Sequence, residues 1–155
     1  GKSTVGKSLA GLLGCPFVDL DDLIVQREQR PIAEIFATDG ELYFRDCETS
    51  LLKELHHKQT TIYATGGGLI VRDENRRHMA SLGKVIYLKT SWSVIKQRLQ
   101  QSSARPLVNS SKDWDKVKDL LSQRQIYYEQ ADLVVDTDGL TPIQVAQKII
   151  SEFTL

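Results

Sequence analysis

The sequence predicts an α/β fold, a three-layer arrangement in which helices flank a parallel sheet, and three observations carry that reading. Short, often β-branched apolar runs alternate with longer stretches of helical periodicity. The tetrapeptide Gly1-Lys2-Ser3-Thr4 opens the first helical stretch, as the end of a phosphate-binding loop does. Residues from about 20 to 57 then hold no convincing strand and read as several helices inserted between strands.

The first helix carries Val5, Leu9 and Leu13 on one face, with Ala10 beside them. Gly6 on that face allows close backbone packing, and Gly14 suits a left-handed stop. Two phosphate-loop frames compete here. The full pattern G-x-x-x-x-G-K-[ST] ends at Lys7-Ser8. It would leave a helix of only about two turns before Gly14-Cys15-Pro16, with no strand upstream. The frame Gly1-Lys2-Ser3-Thr4 gives a helix of about three turns. In that frame Lys2 meets the β- and γ-phosphates, Ser3 puts its hydroxyl on Mg²⁺, and Thr4 helps hold loop and phosphates. It also places the preceding strand and the first glycines of the loop outside the given sequence, so the chain is expected to be trimmed at its N-terminus.

Phe17-Val18 reads as a strand that runs into Asp19 and Asp21. Strand alternation would let both carboxylates face one side at the carboxyl end, where parallel sheets bind ligands. Asp22 is the better candidate to cap the helix that follows. Leu51, Leu52 and Leu55 mark a helix in the inserted region, and Arg45 follows Phe44 on a helical stretch. Thr61–Ala64 is the next strand, and Thr65-Gly66-Gly67-Gly68 follows it. Three glycines in a row fit a backbone that must approach a ligand closely, or a sharp turn. Lys84–Leu88 is a strand, followed by a helix marked by Val94, Ile95 and Leu99. Residues 101–113 are polar, contain Pro106 and read as a surface loop carrying Arg105. Val117, Leu120 and Leu121 mark a helix that ends near Arg124 and the pair Tyr127-Tyr128. Leu133–Val135 is the last strand, and Thr141-Pro142 starts the last helix as N-cap and first helical residue.

Bulk properties narrow the class. At 155 residues the chain suits a single domain with a proper core. Twenty basic residues balance twenty acidic ones, which argues against a dedicated nucleic-acid binder. Cys15 and Cys47 form no CxxC pair, so reduced thiols are expected. No apolar run approaches the roughly 20 residues of a membrane span, and a cytoplasmic protein without membrane partners is expected. His56, His57 and His78 suggest no metal site, and Trp92 and Trp114 read as packing or lid-edge residues.

With the Gly1-Lys2-Ser3-Thr4 frame set, the remaining landmarks fall in a characteristic order. Leu13-Gly14-Cys15-Pro16-Phe17-Val18-Asp19-Leu20-Asp21 leads to Ile32-Ala33-Glu34-Ile35-Phe36 and to Gly40-Glu41-Leu42-Tyr43-Phe44-Arg45. Ala64-Thr65-Gly66-Gly67-Gly68, Arg105-Pro106-Leu107 and Arg124-Gln125-Ile126-Tyr127-Tyr128 complete it. Over essentially its whole length the chain resembles the shikimate kinases. The resemblance implies a P-loop kinase core with a helical substrate-binding insertion and a lid at about 101–113. It also implies ATP-dependent phosphorylation of the 3-hydroxyl of shikimate, a step of aromatic amino acid biosynthesis.

Residue by residue, the resemblance makes Asp21 the base that binds the reacting hydroxyl and Asp19 a magnesium ligand through water. Arg45, Gly67 and Arg124 hold the substrate, whose carboxylate suits planar guanidinium forks. Arg105 comes with the lid to the phosphates, and Arg98 packs against adenine. The family often has Leu where this chain has Val108, a mild departure. A monomer is the expectation for a small kinase of this kind. The rival readings are a gluconate or nucleoside-monophosphate kinase on the same core, disfavoured by Asp21, Phe44-Arg45 and the triple glycine, and a P-loop module without turnover.

Overall fold

The computed structural model describes residues 1–56, 58–101 and 111–153, with the side chains of 111 and 112 left out. Helix α1 (Lys2–Leu13) ends at Gly14, whose φ of 64° and ψ of 34° are the left-handed stop expected there. Its apolar face sets the position of everything that follows. Val5 and Leu9 are buried, and Gly6 lies so close to strand β1 (Phe17–Asp19) that an added Cβ would sit 2.5 Å from Phe17 Cε2. Lys7 is exposed in the middle of this helix, 5.8 Å from the Phe17 ring centroid. It is a surface side chain.

The inserted region is helical throughout. Helix α2 (Leu20–Glu28) is followed by α3 (Ile32–Glu54), which bends at Gly40, where φ is 83° and ψ is 174°. Strand β2 (Ile62–Ala64) then pairs in parallel with β1, in the register Phe17↔Ile62, Val18↔Tyr63 and Asp19↔Ala64. A 3-10 turn (Leu69–Val71) and helix α4 (Asp73–Leu82) lead to β3 (Ile86–Lys89). Helices α5 (Trp92–Gln101) and α6 (Ser111–Tyr128) separate it from β4 (Leu133–Asp136). Strand β4 runs parallel to β3 from Ile86↔Leu133 to Lys89↔Asp136. The last helix, α7, runs from Pro142 to Phe153. The Thr141 hydroxyl accepts from Gln144 N–H at 3.3 Å, and Gln144 Oε1 accepts from Thr141 N–H at 2.8 Å. That reciprocal cap satisfies two of the donors a helix start leaves open.

The strands make two parallel pairs, β1–β2 and β3–β4, among the described residues. One apolar cluster joins them. Val5 and Leu9 of α1 pack with Val135 of β4 and with Val145, Ala146 and Ile149 of α7, and Ile62 and Ile86 flank the group. A second cluster fills the inserted region: Leu20 and Ile24 of α2, Ile35, Phe44, Leu51 and Leu52 of α3, and Leu69. Truncating such a side chain to Ala leaves a cavity and costs about 2–5 kcal/mol. Cys47 also lies in this cluster, and burial together with Glu28 pushes its thiol up and keeps it protonated.

The structure corrects three expectations. Strand β1 stops at Asp19, so Asp21 belongs to the first turn of α2 and not to a strand. Asp19 itself caps α2, accepting from Asp21 N–H at 3.0 Å, whereas Asp22 is exposed. The cap forms at the last residue of the strand, Asp19, whose backbone is still extended where the helix begins. The polar loop is narrower than 101–113, because Gln101 closes α5 and residues 111–113 open α6. Trp92 and Trp114 pack edge to face across these two helices, with ring centroids 6.1 Å apart. Among the described residues, no helix is long and apolar enough to cross a membrane.

Candidate functional site

Parallel pairing in register brings the carboxyl ends of β1 and β2 level, at Asp19 and Ala64. The segments that leave them, Leu20-Asp21 and Thr65–Gly68, therefore start side by side. The N-terminus of α1 lies against the same edge, where the Ser3 hydroxyl donates to Asp19 Oδ2 at 2.6 Å. Gly1 and Lys2 are exposed at that helix start. Helix starts present unpaired N–H groups and a partial positive charge, which suits an anion. Arg98, in the last turn of α5, reaches the same place: a Cβ added to Gly1 would lie 3.7 Å from its Nη1. Thr4 is exposed one residue along α1. The chain thus brings Gly1, Lys2, Ser3, Thr4, Asp19 and Arg98 into one neighbourhood. Arg105 lies outside the described residues.

The triple glycine is surrounded by charge. A Cβ on Gly66 would sit 2.7 Å from Glu48 Oε1 and 3.0 Å from Asp21 Oδ1. A Cβ on Gly68 would overlap the Arg45 guanidinium, and one on Gly67 would lie 3.7 Å from Arg124 Nη1. The glycines are needed to seat these side chains, whatever else they contact. Asp21, Arg45, Gly67 and Arg124, which are far apart in sequence, meet around this turn.

Glu48 is the member that sequence reasoning missed. It is 1% exposed, and its Oε2 accepts from Arg45 Nη1 at 2.6 Å. Burial pushes its carboxyl above the usual range; Arg45 pulls it back and the neighbouring Asp21 pushes it further up. Burial also opposes the charge on Arg45, but the Glu48 and Glu41 carboxylates more than offset this and raise its pKa. The i,i+3 spacing of Arg45 and Glu48 was readable, but exposed Glu41 at i,i+4 gives the same signal. Only burial separates the two. Glu48 Oε1 and Arg124 Nε are buried without a hydrogen-bond partner among the described residues. Buried polar atoms of this kind are rare unless something else satisfies them.

Beside the turn opens a cavity of about 590 Å³. Its charged lining residues are Arg45, Arg72, Arg124 and Glu41, and its apolar ones include Leu42, Val71 and Leu120. Arg72 also went unnoticed in the sequence. Its Nη1 donates to the Arg45 carbonyl at 3.3 Å and to Thr49 Oγ1 at 3.1 Å, and its Nη2 pairs with Asp46 at 2.8 Å. The arrangement is a small chamber rich in arginines with apolar residues beside them, and its Arg45 and Arg124 reach the glycine turn that also meets Asp21. Its guanidinium groups suit a small anion. Among the described residues, no cluster of three or more His, Cys, Asp or Glu side chains could hold a metal ion.

The shikimate kinase family model matches residues 1–154. The shikimate kinase of Thermodesulfovibrio yellowstonii is 42% identical over 153 residues, covering 99% of this chain and 88% of that protein. That of Persephonella marina is 38% identical over 150 residues, covering 97% of this chain and 90% of the other. Among solved structures, the shikimate kinase from Acinetobacter baumannii in complex with shikimate superposes with a TM-score of 0.91 at 36% identity, covering 99% of this chain and 87% of that one. The Aquifex aeolicus enzyme gives a TM-score of 0.86 at 34% identity, covering 99% and 90%.

Proposed function

The chain belongs to the shikimate kinase family, and we propose that it transfers the terminal phosphoryl group of ATP to the 3-hydroxyl of shikimate. The product is shikimate 3-phosphate, and the step serves aromatic amino acid biosynthesis. The observation that carries the reading is the meeting of Asp21, Arg45, Arg124 and the triple glycine at the carboxyl ends of β1 and β2, beside the start of α1.

The substrate carboxylate lies between Arg45 and Arg124. Charge-assisted, bidentate contacts are the strong ones, and each hydrogen bond to a charged group contributes about 1.5–3 kcal/mol. The ring lies along Leu42, Val71 and Leu120. Gly67 supplies a backbone contact, because nothing but hydrogen stands on its Cα. Asp21 accepts the hydroxyl proton as the oxygen attacks the phosphoryl group. Lys2 and the N–H groups at the start of α1 neutralise charge on the phosphates. Arg98 flanks the nucleotide near Gly1, and Arg105 completes the phosphate site.

An ATP-using kinase of this family generally needs a divalent cation, and magnesium is our assignment. The Ser3 hydroxyl and the Asp19 carboxylate are hard oxygen donors already in contact, which fits magnesium. Ser3 would hold it directly and Asp19 through water. When bound, the ion offsets negative charge on the β- and γ-phosphates. The reading is of a single-domain, monomeric, cytoplasmic enzyme with small-molecule partners only, a setting that suits its two free thiols.

The test is Asp21→Asn, followed by coupled ADP release with shikimate, gluconate and nucleoside monophosphates as acceptors. Turnover with shikimate is expected to fall by about 10²–10⁴ while ATP binding survives. Turnover that survives the substitution would remove Asp21 from the base role. A preference of the unmodified enzyme for gluconate or a nucleoside monophosphate would overturn the substrate.

A further inference from the structure

The triple glycine leads into a turn whose outer carbonyls are used locally. Leu69 N–H donates to Gly66 O at 3.3 Å, and Val71 N–H donates to Gly68 O at 3.1 Å. The middle carbonyl, Gly67 O, instead accepts from the Tyr128 hydroxyl at 2.6 Å, across 61 residues of sequence. Consecutive glycines have the widest backbone freedom, so a peptide plane between them is held only by what it bonds. With Gly66 O taken by Leu69 and Gly67 O by Tyr128, both planes flanking the Gly67 Cα are set. The direction of the Gly67 N–H is set with them.

Tyr128 is itself well anchored. Its ring stacks on Tyr87 of β3, with centroids 5.0 Å apart and planes 18° from parallel. It stands one turn after Arg124 on α6, so the same helix meets Gly67 twice. A Cβ on Gly67 would lie 3.4 Å from the Tyr128 hydroxyl oxygen and 3.7 Å from Arg124 Nη1.

We propose that Tyr128 is a positioning residue for the acceptor subsite: its hydroxyl locks the Gly67 peptide and docks α6, with Arg124, against the glycine turn. The proposal rests on the assignment of this chamber to shikimate. Tyr128 touches no reacting atom; it acts through Gly67 and Arg124. Its predicted signature is therefore a change in the apparent affinity for the acceptor, with chemistry and nucleotide binding little altered.

The experiment is Tyr128→Phe, which keeps the ring and its stack and removes one hydroxyl, compared with Tyr87→Phe, which leaves the Tyr128 hydroxyl in place. Steady-state kinetics with each substrate varied give KM and kcat, and glycine-selective ¹⁵N labelling reports the backbone amides of the turn. For Tyr128→Phe, KM for shikimate is expected to rise about three- to tenfold, as loss of one net hydrogen bond would give. KM for ATP should stay unchanged and kcat within about twofold. Glycine amide resonances should move in Tyr128→Phe and stay in Tyr87→Phe. Unmoved glycine resonances, or a shikimate KM equal to that of the unmodified enzyme, would overturn the proposal. So would equal rises in both KM values, which would signal general loosening. If the unmodified enzyme does not phosphorylate shikimate, the functional assignment falls, and the glycine resonances alone then decide whether Tyr128 holds the turn.

Discussion

Replacing Gly6 by Ala tests how α1 is seated on the sheet. Gly6 and Gly11 both lie inside α1, so Ala at either position gains about 1 kcal/mol of helix propensity. Their surroundings differ. A Cβ at position 11 meets nothing within 4 Å, whereas one at position 6 lies 2.5 Å from Phe17 Cε2, 3.1 Å from Cδ2 and 3.6 Å from Ile62 Cγ2. Carbon atoms in contact settle at about 3.5–4.0 Å, so the Phe17 ring must retreat by about 1 Å. Overpacking of this kind costs about 1–3 kcal/mol. Gly11→Ala is therefore expected to stabilise by up to about 1 kcal/mol, and Gly6→Ala to lose up to about 2 kcal/mol.

Thermal unfolding followed by circular dichroism reads the difference. At about 2–4 °C per kcal/mol for a chain of this size, the two melting temperatures should differ by about 2–12 °C. The retreat of Phe17 would also push β1 from α1 and part Ser3 from Asp19, which are now 2.6 Å apart. Half-saturation by Mg²⁺ in the ADP-release assay should thus rise in Gly6→Ala and stay constant in Gly11→Ala. Equal melting temperatures for the two variants would refute the close-packing argument.

Two further substitutions probe the chamber. Arg45→Ala removes half of the proposed carboxylate clamp and should raise KM for shikimate about ten- to a hundredfold, with little change in ATP binding; a titration showing equal losses for both ligands would contradict the clamp. Glu48→Gln tests burial through pH. The Glu48 carboxyl is raised in the folded chain, chiefly by burial, so its contribution to stability is complete below its unfolded value and is lost as pH rises through the folded one. The Gln variant has no such loss. Urea unfolding across a pH series should show the native protein losing stability relative to Glu48→Gln as pH climbs above the ordinary carboxylate range; a constant or opposite gap would show that the ion pair with Arg45 outweighs desolvation.

Much of this protein was legible in its sequence, because the signals are local. The four strands lie within one or two residues of their apolar runs, since alternation and β-branching act over a few positions. Gly14 stops α1 and Thr141-Pro142 opens α7 for backbone reasons that each residue carries with it. The choice between two overlapping phosphate-loop frames was also local: Lys7 sits too far along a helix that needs its full length. The candidates Lys2, Ser3, Asp21, Arg45, Gly67 and Arg124 were picked out by residue type and order, and the fold brings Asp21, Arg45 and Arg124 to the glycine turn.

Tertiary structure decided what depends on burial and on contacts between distant segments. It moved Asp21 off the strand and into a helix turn, because the cap formed at Asp19. It chose Glu48 over Glu41 as the buried partner of Arg45, although both spacings suit an Arg pair on a helix. It joined Tyr128 to Gly67, a bond that no periodicity announces. A sequence fixes which groups a residue can offer; desolvation and hydrogen-bond geometry across the fold determine which of those groups are used.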